Sequence, residues 1–114
     1  MNQTYKRDEG KIKPTLVPTQ VIRDIAEVRE YGNNKYGDSN NWRLVEEQRY
    51  VDALFRHFLA FIDDPTSVDQ ESGIPHYKHM ACNIAFICQM EAEKPANINE
   101  GMPWMENDLT YDIE

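Results

Sequence analysis

From Val51 to Ile62 the apolar residues Val51, Leu54, Phe55, Phe58, Leu59 and Ile62 recur at intervals of three and four, which is the repeat of one helix face and not of a strand. The stripe runs until "DDP" breaks it, because Pro65 lacks a backbone N–H and restricts the residue before it. A helix over 46–62 is therefore predicted. Ala53 and Ala60 lie on its other side, where small residues let a second helix come close. So wide a stripe needs cover, and this helix is expected to sit at the centre of the fold. Its expected core is Val51, Leu54, Phe55, Phe58 and Leu59, joined by Ile84 and Ile87.

Two further helices are read the same way. In "TQVIRDIAEVREYG", Val21, Ile22, Ile25 and Val28 recur at helical spacing, with Thr19 as a cap and Gly32 as a stop, which predicts a helix over 19–31. A third is predicted over 74–92, with Ser72 as its cap, Pro75 tolerated in its first turn and Pro95 beyond its end. Between the helices, "GNNKYGDSNNW" at 32–42 and "TSVDQESG" are dense in turn residues and are expected to be loops. No stretch alternates as a strand does. The predicted fold is all-α, a small bundle of three to four helices with long functional loops.

At 114 residues the chain suits one domain and is too short for two hydrophobic cores. Residues 1–93 are read as that domain and 94–114 as an acidic tail, which its Trp104 and Tyr111 suggest is docked. The formal charge is −8, of which −4 falls in the tail through Glu100, Glu106, Asp108, Asp112 and Glu114 against Lys94. Such a balance excludes binding to long nucleic acid, which depends on clustered Lys and Arg. A small anion held by a few placed cations is still compatible with it. No apolar run reaches the roughly 18 residues that span a bilayer. The opening residues lack an apolar segment after their basic ones, so a secretory leader is not expected. Cys82 and Cys88 lie about 9 Å apart along one helix, too far for an unstrained disulfide, and the expected location is the cytoplasm.

Polar residues stand where the third helix should be greasy. At about 100° per residue, His76, His79 and Asn83 project on the same side as Met80, Ile87 and Met90. A helix whose first turn emerges from the core would look the same. The pair of histidines at i, i+3 favours a site. Asp69, Glu71 and His79 form a candidate metal set with His76 near them, and His57 joins the group if the second and third helices are antiparallel neighbours. Hydrogen-bonded histidines lining a pocket are the alternative. Arg56 either pairs with Asp52 one turn away or offers a planar fork to phosphate, and is preferred over Arg49 as the phosphate ligand. Lys35, Tyr36, Asn41 and Trp42 supply a cation, a stacking face and an amide reader for a base.

Four segments carry a resemblance to a known family: "LVP" at 16–18, "YGNNKYGDSNNW" at 31–42, "RYVDALFRH" at 49–57 and "DQESGIPHYKHMACN" at 69–83. Over roughly residues 13–90 the chain resembles the N-terminal domain of the phage dATP/dGTP diphosphohydrolase family. The resemblance implies an α-helical, MazG-like enzyme that attacks a deoxypurine triphosphate and releases pyrophosphate. It also implies Mg²⁺ held by acidic residues on two facing helices, whereas the carboxylates and imidazoles read from the residues themselves suit a transition metal or Mn²⁺. Here Glu46 and Glu47 begin the second helix but Tyr50 stands in the next turn, and His76 and His79 occupy the place of an E-x-x-D pair.

The reading that follows is a phage-type protein holding a purine-nucleotide-like ligand between its second and third helices. Lys35, Tyr36, Asn41, Trp42, Arg56, His57, His76, His79 and Asn83 are its expected contacts, and no catalytic residue is assigned. The alternative is a non-catalytic sponge, an anti-defence protein that sequesters nucleotide-derived immune signals. Helices this short often complete their core by self-association, so a homo-oligomer is expected.

Overall fold

The computed structural model describes residues 6–95, and the expected docking of the acidic tail falls almost wholly outside them. Three helices form the scaffold: α1 spans Thr19–Tyr36, α2 Glu47–Asp63 and α3 His76–Ala92. Short 3-10 turns at Pro14–Leu16 and Asn41–Leu44 precede α1 and α2. Among the described residues no strand forms, and the single antiparallel bridge joins Val68 to Pro75. The all-α prediction holds.

α1 is longer than expected. Gly32 lies inside it, because an isolated glycine costs a helix interior only about 1 kcal/mol. The stop comes at Gly37, which takes φ 78° and donates its N–H to the Asn33 carbonyl at 2.7 Å. The loop expected over 32–42 is thus mostly helix and 3-10 turn. The caps also differ. Pro18 and Pro75 occupy the N-cap positions of α1 and α3 and supply no side-chain oxygen. Ser72 acts three residues upstream of Pro75, its Oγ accepting the Ile74 N–H at 3.1 Å.

The central helix is α3, which packs against both α1 and α2, while those two make few contacts with each other. A helix contacted on two sides should be apolar around more of its circumference than one with a single stripe, as α3 is. Three contacts set its direction against α2: His57 meets His76, Tyr50 meets Phe86, and Glu47 meets Lys94. The two helices are antiparallel. Lys78 fastens α3 to α1 through Glu27 at 2.8 Å and Asp24 at 3.5 Å, and Gln20 also donates to the buried Asp24.

The expected core does not form within one chain. Phe55 is 58% exposed and Leu59 59%, with Phe58, Ile62 and Ile84 also open, whereas the buried apolar residues are Ile74 and Cys82. The reason is geometric. α2 meets one neighbour rather than two, so half of its wide stripe faces outward.

Candidate functional site

A cavity of about 720 Å³ opens between the three helices and the 37–45 segment. α1 contributes Val28, Arg29, Tyr31, Gly32 and Tyr36, α2 contributes Arg49, Tyr50, Asp52, Ala53 and Arg56, and α3 contributes His79, Cys82, Asn83 and Phe86. The volume lies within the range of small-molecule sites.

Its floor is aromatic. Trp42 stacks on Phe86 with centroids 4.6 Å apart and rings tilted by 13°, and Tyr50 packs on Phe86 at 4.8 Å. Tyr50 donates its hydroxyl to the Trp42 carbonyl at 2.7 Å, and the Arg43 guanidinium lies 4.5 Å from the Trp42 ring centre. This cluster seats the 37–45 segment on α2 and α3. Arg29 adds a bond to the Ser39 carbonyl. Tyr36 is the freer aromatic, 65% exposed at the mouth.

Two cations on the α2 wall stand ready for an anion. Arg49 and Arg56 are two turns apart on one face, both line the cavity, and neither forms an ion pair among the described residues. The expected alternative, a pair between Asp52 and Arg56, does not occur, since Asp52 accepts from Gln48 at 3.1 Å. Opposite them Asn83 is 9% exposed, and its amide has no hydrogen-bond partner among the described residues.

The histidines gather behind this wall. His57 lies flat against His79, centroids 4.6 Å apart and rings 8° from parallel, and its Nδ1 is 2.8 Å from Nδ1 of His76. His79 Nε2 bonds the Ser72 hydroxyl at 2.7 Å and lies 3.9 Å from an Asp69 oxygen. Burial, with His79 and His76 alongside, lowers His57 to a pKa of about 4, and burial also lowers His79 despite Asp69 nearby.

These shifts set a pH dependence. The unfolded imidazoles take up protons near pH 6.5, while the folded ones resist until lower pH, so the unfolded state binds more protons in between. Stability is therefore full above pH 6.5 and is lost as pH falls from there towards 4. After allowance for solvent screening, about 1 kcal/mol should disappear between pH 7 and 5. Thermal melts in EDTA should show the fall, and His57→Asn should flatten it. A melting temperature indifferent to pH over that interval would mean the rings ionise freely.

Of the residues expected from sequence, Tyr36, Asn41, Trp42, Arg56, His79 and Asn83 line the cavity. Lys35 does not, because it pairs with Glu71 and ties the end of α1 to the α2–α3 connection. His57 and His76 meet each other behind His79 rather than facing the cavity. Sequence reasoning passed over Arg29, Tyr31 and Tyr50, and it discounted Arg49. The seven-residue interval from Arg49 to Arg56 was a usable signal, since it returns to the same helix face.

The proposed metal set of Asp69, Glu71 and His79 does not converge: Glu71 is held by Lys35 and His79 by Ser72. The set that does converge is His57, Asp69 and His76, with ligand atoms all within 4.8 Å of one another. Two imidazoles and one carboxylate do not suit Mg²⁺, which demands oxygen ligands.

Comparison with known proteins places these features in context. The family model described as dATP/dGTP diphosphohydrolase, N-terminal, matches residues 1–99. A dATP/dGTP diphosphohydrolase of Salmonella phage PMBT28 is 30% identical over 92 residues, which is 81% of this chain and 31% of that protein. The chain thus spans about a third of the length of this curated relative. No solved structure matches significantly. Among the described residues no helix is long and apolar enough to cross a membrane.

Proposed function

The chain belongs to the dATP/dGTP diphosphohydrolase N-terminal family, and from that membership we propose that its three-helix cavity binds a purine deoxynucleotide. The observation that carries the reading is Asn83, a residue only 9% exposed whose side-chain amide lines the cavity, keeps access to solvent and makes no hydrogen bond among the described residues. An amide offers both a donor and an acceptor and can pair with a base edge. Arg49 and Arg56 bind the phosphates through charge-assisted hydrogen bonds, with Arg29 as a third cation at the rim. Tyr36 and Tyr31 supply aromatic faces for the base. Trp42 supports the floor rather than stacking on the ligand, since Phe86 and Arg43 already pack on its ring.

We assign capture of the nucleotide, not its cleavage, to these residues. Asp38 and Asp52 are the carboxylates lining the cavity, they stand on different elements, and Asp52 is engaged by Gln48. That is a poor set for holding a phosphate-bridging Mg²⁺ or for activating a water. The second reading is hydrolysis to a nucleoside monophosphate and pyrophosphate, favoured by the name of the phage relative.

The deciding experiment incubates the protein with the four dNTPs and with cyclic and ADP-ribose nucleotides, with and without Mn²⁺. Both the solution and the ligand released on denaturation are then analysed. Unchanged dATP or dGTP recovered from the protein is the expected result. Pyrophosphate in solution supports the second reading, and retention of cyclic or ADP-ribose nucleotides alone would point to a sponge for signalling molecules. Recovery of no nucleotide would overturn the proposal.

A further inference from the structure

We propose that His57, Asp69 and His76 form a three-ligand site for a divalent transition-metal ion, with Zn²⁺ preferred and Mg²⁺ excluded. The site lies behind the cavity wall and does not depend on the nucleotide reading. Three separate elements bring the ligands together: His57 from the middle of α2, His76 from the first residue of α3, and Asp69 from the connection between them.

The connection holds Asp69 in place. Its N–H donates to the Ile74 carbonyl at 2.9 Å, its own carbonyl accepts the Gly73 N–H at 2.7 Å, and its Oδ2 accepts the Ser72 N–H at 2.9 Å. Gly73 takes φ 76°, a conformation that side chains rarely adopt, and so closes the turn. A carboxylate fixed by backbone bonds is already oriented as a ligand, which is the role outer partners play in metal sites.

The spacing of the imidazoles also fits. Two nitrogens bound to one zinc at about 2.0–2.1 Å lie roughly 3.0–3.4 Å apart, depending on coordination geometry. The two Nδ1 atoms stand 2.8 Å apart, so a small parting admits an ion. At that separation, without metal, one ring must carry its proton on Nδ1 and donate it to the other. Metal binding moves that proton to Nε2 of the same ring and turns both Nδ1 lone pairs to the ion. The number of protons is unchanged.

The donor set selects the ion. Neutral imidazole with one carboxylate suits zinc, manganese and iron, and the general affinity order places zinc above manganese. Three protein ligands leave at least one coordination position open.

The full chain, stripped with EDTA, is dialysed separately against Zn²⁺, Mn²⁺ and Mg²⁺, and its metal content is measured by mass spectrometry. One zinc per chain is expected, with no retained magnesium. Asp69→Asn and His76→Gln should each weaken zinc binding by more than the roughly 10- to 100-fold that loss of an outer partner costs. Cys88→Ser, which removes an exposed thiol, should leave it unchanged. Circular dichroism reports whether each variant keeps its helices. As a readout that needs no variant, ¹⁵N NMR of the histidine rings should shift His57 and His76 to the Nε2–H form when zinc is added. Failure to retain zinc, zinc held equally by both ligand variants, or rings that keep the Nδ1 proton would each overturn the proposal.

Discussion

Replacing both Arg49 and Arg56 by alanine is expected to abolish measurable binding of dATP and dGTP. Each guanidinium offers charge-assisted hydrogen bonds of about 1.5–3 kcal/mol, so each single substitution should weaken binding roughly 10- to 150-fold. The two side chains share a helix face and would share one polyphosphate, so their effects need not add. Arg23→Ala is the control, because Arg23 is exposed and among the described residues bonds only Thr19. The sequence favoured Arg56 alone, but both residues line the cavity without an ion pair among the described residues. Binding should also weaken as salt is raised. Calorimetry that finds the double variant within a few-fold of the parent would remove the α2 wall from the site.

The second large effect is on stability. Trp42→Ala deletes the ring between Phe86 and the Arg43 guanidinium and leaves the 37–45 segment without its main apolar anchor. Large aromatic deletions from packed sites cost about 3 kcal/mol or more, which for a domain of this size lowers Tm by roughly 12–20 °C. Tyr36→Ala is the contrasting change. At 65% exposure Tyr36 contributes little packing, so its loss should leave Tm nearly unchanged while weakening nucleotide binding by about 1–3 kcal/mol. If Trp42→Ala instead preserved Tm and removed binding, Trp42 would be a stacking face rather than a support.

The helices were legible because a 3.6-residue repeat leaves its mark in a single sequence. The stripe from Val51 to Ile62 identified α2 to within one residue at each end. Ends that depend on backbone conformation were harder. Gly32 and Gly37 are the same residue type, and only the position that reaches positive φ ends the helix. The core was misplaced for a different reason. Periodicity shows which face of α2 is apolar, but not how many neighbours will cover it, so Phe55, Phe58 and Leu59 were assigned inside and stand open in one chain.

Parts of the candidate site were equally readable. His79 and Asn83 drew notice because polar residues stand on an otherwise apolar helix face, Arg56 because it lies on the polar strip one turn from Asp52, and each lines the cavity. Arg29 and Tyr31 were not seen because α1 looked like packing alone. Lys35 seemed available for a ligand until the fold brought Glu71 beside it, a pairing across 36 residues that local sequence does not encode. Likewise, Asp69 stands near both His57 and His79, and only the folded turn shows that Ser72 holds His79 while His57 meets His76.

The most direct test of nucleotide capture is a map of where the ligand sits. Titrating dGTP into isotope-labelled protein and following backbone and side-chain NMR signals would provide it. The account predicts saturable changes at Tyr36, Asn41, Arg49, Arg56 and above all the Asn83 side-chain amide, with Leu59 and Ile62 on the outer face of α2 unaffected. Changes confined to that outer face, or an Asn83 amide that does not move at saturation, would contradict it.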